Sequence, residues 1–310
     1  MFKGKNVLVA GGAGLIGRQL VPLLKSRDAK VTVADLKTFD ISNVKFLKLN
    51  LMNYENCLKS CNGIDYVFNL LCAKGSPSAM KERPASYFDP MLLFNTNLMR
   101  AAKERSVEKY LYASTLGVYA PSQIFHEDDV WKTHPSENDR FAGWAKRMGE
   151  LQAEAYQIEY GWNDISIVRP ANTYGPYDDF DSDGAMVVPS LVKKVLSGAN
   201  PLVVWGDGSN VRDFIHSKDV ALGMMLVMEK SPGPRYPVNL GSGIGYTIKE
   251  LVDIILQNSD RDIEVVWDTN RVTGDKKRVL DTKRAESLGF RTTISLEEGI
   301  QDLIKWYIEK

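Results

Sequence analysis

VLVAGGAGLIGRQL, residues Val7 to Leu20, decides how the rest of the chain is read. A short apolar run enters a cluster of glycines, and an amphipathic segment leaves it. Gly12-x-Gly14-x-x-Gly17 fits the turn by which a strand passes into a helix around a dinucleotide, and Gly11-x-x-Gly14-x-x-Gly17 fits its variant equally well. The chemistry needs a tight turn, a backbone that can approach a pyrophosphate, and a helix N-terminus offering N–H groups. A glycine turn alone is weak evidence. Its place at the first β–α junction makes it stronger.

The next strand ends in VTVADL, which puts Asp35 18 residues beyond Gly17. That is close to the spacing of about 20 at which a carboxylate meets the adenosine ribose. Such a group accepts hydrogen bonds from a 2′-hydroxyl and repels a 2′-phosphate. Lys37 is the nearest following cation and no arginine is adjacent, so NAD is expected over NADP.

Working outward, NVLVAG, KVTVAD, VKFLKLN, IDYVFNLL, EKYLYAST and DISIVRP read as strands. Helical patterns lie between them at Leu15–Arg27, Asn53–Ser60, Met91–Arg105 and Ala142–Tyr160. Alternation of this kind predicts an α/β fold with a doubly wound parallel sheet of the Rossmann type. After Pro170 the pattern changes. Turn-rich pieces (NTYGPYDDFDSDG, WGDGSNVRDF, KSPGPRYPVNLGSGIGYT) alternate with helices at Pro189–Ser197, Lys218–Met228, Ile248–Gln257 and Leu296–Glu309. The expectation is a cofactor domain over residues 1–170 and a smaller mixed α/β lobe over 171–310, with some C-terminal segments free to return to the first domain.

Composition narrows the function. The 310 residues carry 39 Lys+Arg against 39 Asp+Glu, so net charge gives no reason to expect nucleic acid or a membrane surface. No uncharged run approaches the roughly 18 residues of a membrane span, and MFKGKNVLVA lacks a signal peptide's apolar core and cleavage site. The cytoplasm is the expected location. Cys57, Cys61 and Cys72 are too few for a disulfide framework and lack a matching metal pair. They read as buried thiols, and no metal is expected.

Two further stretches, YASTLGVYA and GWAKRMGE, resemble the active-site segments of the extended short-chain dehydrogenase/reductase family. The likeness continues through VRPANTYGP, VVPSLVKK, VVWGDGSNVRDFIHSKDVA, VNLGSG and LDTKRAESLGF, over essentially the whole chain. The second half is most similar to GDP-L-fucose synthase and related NAD-dependent nucleotide-sugar epimerases and dehydratases. The resemblance implies an enzyme with a Ser/Thr, a Tyr and a Lys in its catalytic set. Thr115 matches the first, bonding the sugar oxygen that is oxidised or reduced. Lys146 matches the last, bonding the nicotinamide ribose and lowering a phenol's pKa. The tyrosine position holds Ala142, flanked by Phe141 and Gly143, none of which carries a proton. With so much else retained, deliberate replacement of a tyrosine at 142 is the most economical account. A natural variant using another acid and a silent binding protein stay open. The resemblance also implies cofactor contacts at Gly11, Gly14, Leu15, Ile16, Gly17, Asp35, Leu36, Asn50, Leu51, Leu71, Ala73 and Lys146.

Absences then narrow the reaction. Leu116 and Gly117 replace the acidic pair that follows the threonine in related 4,6-dehydratases. Gly117 and Tyr177 also fall where the 3,5-epimerising members carry a cysteine and a histidine, and nothing in the sequence places His134 or Cys72 as substitutes. What remains is reversible hydride transfer at one sugar carbon: a 4-epimerase if NAD stays bound, or a 4-ketoreductase with an external reductant. For the nucleotide-diphosphate-sugar substrate, taken as a GDP-sugar, the resemblance points to Arg212 and Lys277 at the phosphates and to Asn172 and the backbone near Val188. Lys193 is within reach of the phosphates from its helix, and Trp205 either flanks the base or belongs to the core. His216 reads as a structural polar residue. The segments 84–104 and 142–160 resemble a pair that forms a homodimer interface in the family, or else they only cover the sheet.

Overall fold

The computed structural model describes residues 1–310 except 39, 74, 76, 182–184, 260 and 272, and the side chains of 77 and 78. The strands are β1 (Asn6–Ala10), β2 (Lys30–Asp35), β3 (Lys45–Lys48), β4 (Tyr66–Asn69), β5 (Lys109–Ala113), β6 (Ile165–Pro170), β7 (Asn172–Tyr174), β8 (Leu202–Trp205), β9 (Val211–His216), β10 (Val238–Leu240), β11 (Gly245–Thr247), β12 (Val265–Asp268) and β13 (Lys277–Arg278). The helices are α1 (Leu15–Lys25), α2 (Tyr54–Ser60), α3 (Pro77–Glu82), α4 (Ala85–Glu104), α5 (Arg140–Tyr160), α6 (Val187–Leu196), α7 (Ser217–Lys230), α8 (Ile248–Gln257), α9 (Lys283–Ser287) and α10 (Leu296–Glu309).

Seven strands form one parallel sheet in the order β3-β2-β1-β4-β5-β6-β10. Its strands are apolar on both sides because both faces are covered. In β1, Val7 and Val9 face the core under α1 and α7, whereas Leu8 and Ala10 face the core under α2, α4 and α5. The order reverses between β1 and β4, where ligands of doubly wound sheets bind at the carboxyl ends of the strands.

The six expected strands of the first half are all present. The last strand of the sheet, β10, and helix α7, which packs on α1, come from the second half of the chain. Helix α4 begins at Ala85, before the predicted Met91, and carries Pro90 within it. The segments read as turn-rich contain β7, β9, β10 and β11, and residues 182–184 of the first lie outside the described residues. Here β9 is the spine, with β11 antiparallel on one edge, β13 parallel on the other, and β7 parallel to its last three residues. A third core gathers α6, α8 and α10 around Phe214 and Leu202. Among the described residues no helix is long and apolar enough to cross a membrane.

One ion pair ties α5 to the sheet. Arg169 of β6 donates from Nε and Nη2 to the two carboxylate oxygens of Glu150, at 2.9 and 2.6 Å, with side-chain exposures of 0% and 3%. Ser114 donates to the same carboxylate at 2.5 Å. Arg169 also donates to the Tyr119 hydroxyl, which in turn donates to Asn239 of β10. Removing one partner of such a pair leaves an uncompensated buried charge. Glu150→Gln is expected to lower stability by about 3–5 kcal/mol, read from denaturant midpoints, and adding Arg169→Met is expected to restore at least half of the loss.

Candidate functional site

The glycine loop is built as its pattern requires. Gly11 adopts φ +79°, a conformation open to glycine, and a Cβ on Gly17 would lie 2.5 Å from Gly12 Cα, so α1 presses directly onto the turn. Helix α1 starts at Leu15 with Gly14 as an N-cap that has no side-chain hydrogen bond, and its first turn holds no acid. The N–H groups of Leu15, Ile16 and Gly17 therefore lie in a first turn whose dipole favours an anion. These residues fit the pyrophosphate of a dinucleotide.

Asp35 ends β2 beside this loop. Its Oδ2 accepts the Ala13 N–H at 3.0 Å and its Oδ1 the Lys37 N–H at 2.9 Å, which fixes the carboxylate. Each oxygen keeps a second acceptor site. Leu36 is exposed next to it. Asn50 and Leu51 follow β3, where Asn50 accepts the Met52 N–H and the Leu51 side chain is buried in the core. Leu71 and Ala73 follow β4.

Lys146 is only 2% exposed. Its Nζ donates to the carbonyls of Leu71 at 2.9 Å and Ala113 at 2.7 Å, bridging the ends of β4 and β5. Burial lowers its pKa, and Cys72 and Glu150 oppose that shift. Thr115 caps a 3₁₀ turn at Leu116–Val118, its Oγ1 accepting the Gly117 N–H at 3.2 Å. Ala142 lies in the first turn of α5, four residues before Lys146. With Tyr87, Asp139 and Phe141 it lines a small cavity of about 40 Å³. Thr115, Ala142 and Lys146 are thus carried by adjacent elements.

In the second lobe Arg212 lies on β9, and burial pushes its pKa down to about 10, with Arg278 adding repulsion. Asn172 donates through Nδ2 to the Asp213 carbonyl. Val188 is buried on α6, while Lys193 forms a surface ion pair with Asp181 at 2.7 Å. Trp205 is 55% exposed with the Arg271 guanidinium over its ring, which excludes the core reading. Lys277 pairs in register with Val211, and Arg278 with Arg212. Successive residues of a strand face opposite ways, and it is Arg278 that reaches Asp275 and Asp139 at the start of α5. Sequence reasoning missed Arg278, because its partner Asp139 lies far away in the chain. His216 is buried and accepts the Lys218 N–H, a capping contact. His134 packs edge-on against Trp144. Tyr177 meets Trp306 edge-on and lies under the Arg18 guanidinium. Among the described residues no cluster of three or more His, Cys, Asp or Glu is arranged to hold a metal ion.

A family model described as the NAD dependent epimerase/dehydratase family matches residues 7–241. GDP-L-fucose synthase 1 of Arabidopsis thaliana is 29% identical over 316 residues, spanning 99% of this chain and 94% of that protein. The UDP-glucose 4-epimerase of Thermotoga maritima, solved with UDP-glucose, is 28% identical with a TM-score of 0.88, over 98% of this chain and 99% of that one. The UDP-glucose 4-epimerase of Thermus thermophilus, solved with NAD, is 26% identical with a TM-score of 0.85, over 98% and 99%.

The cysteines separate cleanly. Cys57 and Cys61 are buried thiols pushed up to about 12 by desolvation, as expected, but Cys72 is exposed between Leu71 and Ala73. A thiol reagent at pH 8 is expected to label one site per folded chain and three after denaturation. Saturating NAD is expected to slow the single site, because Cys72 adjoins the carbonyl that holds Lys146.

Proposed function

The chain belongs to the NAD dependent epimerase/dehydratase family, and from that premise we propose that it interconverts nucleotide-diphosphate sugars by transient oxidation and reduction at one sugar carbon, C4, with NAD held throughout. The observation that carries this reading is the convergence of the uncapped α1 terminus, Asp35 and buried Lys146 at the carboxyl ends of β1, β2, β4 and β5. NAD supplies the hydride acceptor and donor when bound. Gly11, Gly14, Leu15, Ile16 and Gly17 receive its pyrophosphate, and Asp35 favours a free ribose 2′-hydroxyl. Thr115 presents a hydroxyl to the sugar oxygen. Arg212 and Lys277 supply positive charge for the diphosphate of the substrate.

The GDP-sugar assignment draws on the curated relatives, and the epimerase assignment on the structural ones. A second reading, 4-keto-sugar reduction with NADPH, is favoured by relatives named dTDP-4-dehydro-6-deoxy-D-allose reductase. Calorimetry with both cofactors discriminates: NAD is expected to bind at least tenfold more tightly, and tighter NADP binding transfers the assignment to the reductase. Met148, Leu151 and Ile158 leave an exposed apolar stripe along α5, which supports a homodimer.

Without a phenol at 142 the chain is expected to bind well and turn over poorly, since a general acid contributes about 10²- to 10⁴-fold. Restoring it with Ala142→Tyr is expected to raise turnover by about that factor, with NAD affinity changed less than threefold. A variant that folds, binds NAD and stays silent with GDP-sugars and UDP-sugars defeats the proposed reaction.

A further inference from the structure

The space opposite Thr115 is occupied by a group that no sequence motif marks. A Cβ on Gly117 would lie 3.2 Å from Cβ and 3.3 Å from Cγ of Asp139, and 3.5 Å from Cγ2 of Thr115. The Asp139 side chain therefore fills the room in front of Gly117 and shares it with Thr115. The same aspartate lines the cavity beside Ala142. We propose that Asp139 is the catalytic proton carrier of this chain, acting where the missing phenol would have acted.

Its position is fixed from two sides. The Gly143 N–H donates to the Asp139 carbonyl at 2.6 Å, and a Cβ on Gly143 would collide with the Gly117 carbonyl oxygen, so the first turn of α5 sits flush on the 3₁₀ turn. On the other side Arg278 Nη2 lies 2.5 Å from Asp139 Oδ2. That oxygen is buried, and the guanidinium beside it holds the charge in place. Arg278 is shared with Asp275, which accepts from Ser136 and Asn138. Of the other protonatable groups on the cavity wall, Lys81 is exposed on α3, Glu137 and Arg140 face each other at the exposed rim, and the Tyr87 ring lies against Gly75. Tyr87 is the rival.

The step balances with the cofactor of the proposed function, on which it rests. In oxidation the sugar C–H bond breaks and its electron pair passes as hydride to NAD. The O–H bond breaks, its proton passes to the Asp139 carboxylate, and the carbonyl forms. Reduction reverses each transfer, returning the proton to the oxygen.

The test is a single-turnover measurement of NADH absorbance with stoichiometric NAD and either GDP-L-fucose or UDP-glucose. It is made on the unsubstituted chain and on Asp139→Asn, Tyr87→Phe and Ala142→Tyr, and on Asp139→Asn combined with Ala142→Tyr. Calorimetry of NAD, GDP and UDP binding accompanies it. Asp139→Asn is expected to slow NADH formation at least 50-fold in the unsubstituted chain and less than fivefold beside Tyr at 142, with every measured affinity within threefold. Tyr87→Phe is expected to change the rate less than threefold. An equal loss in both backgrounds makes Asp139 structural and overturns the inference, as does a loss that follows Tyr87→Phe. Turnover by Ala142→Tyr with none in the unsubstituted chain overturns the Asp139 role alone. Silence of both with both sugars removes the underlying reaction as well.

Discussion

The buried contact between Arg169 and Glu150 is the constraint on which the site's geometry depends. Glu150 is one turn beyond Lys146 on α5, Arg169 closes β6, and Ser114, which also bonds Glu150, is the residue before Thr115. A single carboxylate thus sets the height of the helix relative to two strand ends. Continuation through Tyr119 to Asn239 extends the same network to β10. An apolar contact of similar size would pack α5 with less control over its rotation and axial position, because dispersion is non-directional and a bidentate guanidinium is not.

Small residues complete the seating. Gly149 meets the Tyr112 hydroxyl and Gly143 meets the Gly117 carbonyl, each too close for a Cβ. These glycines bracket Lys146, and their close approach lets its ammonium reach two main-chain carbonyls at once. Glycine in a helix interior costs about 0.5–1 kcal/mol relative to alanine. Here the close approach leaves two of the three N–H donors of the buried Lys146 ammonium engaged, which reduces the desolvation cost of placing that charge there. Ala142 sits within this arrangement without disturbing it, so the scaffold of the site does not depend on a phenol.

Much of this was legible in the sequence, and the limits have physical reasons. The six strands of the first half stand out because buried parallel strands are continuous branched apolar runs, and the glycine turn is marked by residues three apart. Strands such as β7 and β11 have three residues each, too short for periodicity to speak, and exist because β9 offers them an edge. Helix α4 runs through Pro90 from Ala85, with Met91 and Phe94 packed in the core, so the apolar pattern from Met91 onward marks only its buried part. Trp205 could be either core or surface until its neighbours were known. The Arg278–Asp139 contact joins residues 139 positions apart. Charge partners at such separation leave no local signature.

The return of α7 and β10 to the large sheet has a mechanical meaning. The polypeptide leaves the first lobe after β6, re-enters to lay α7 on α1 and β10 on β6, and departs again. Several covalent crossings join the lobes, so they are stitched together and do not swing on one hinge. Severing the chain at 170 would strip an edge strand from the sheet instead of releasing an intact module.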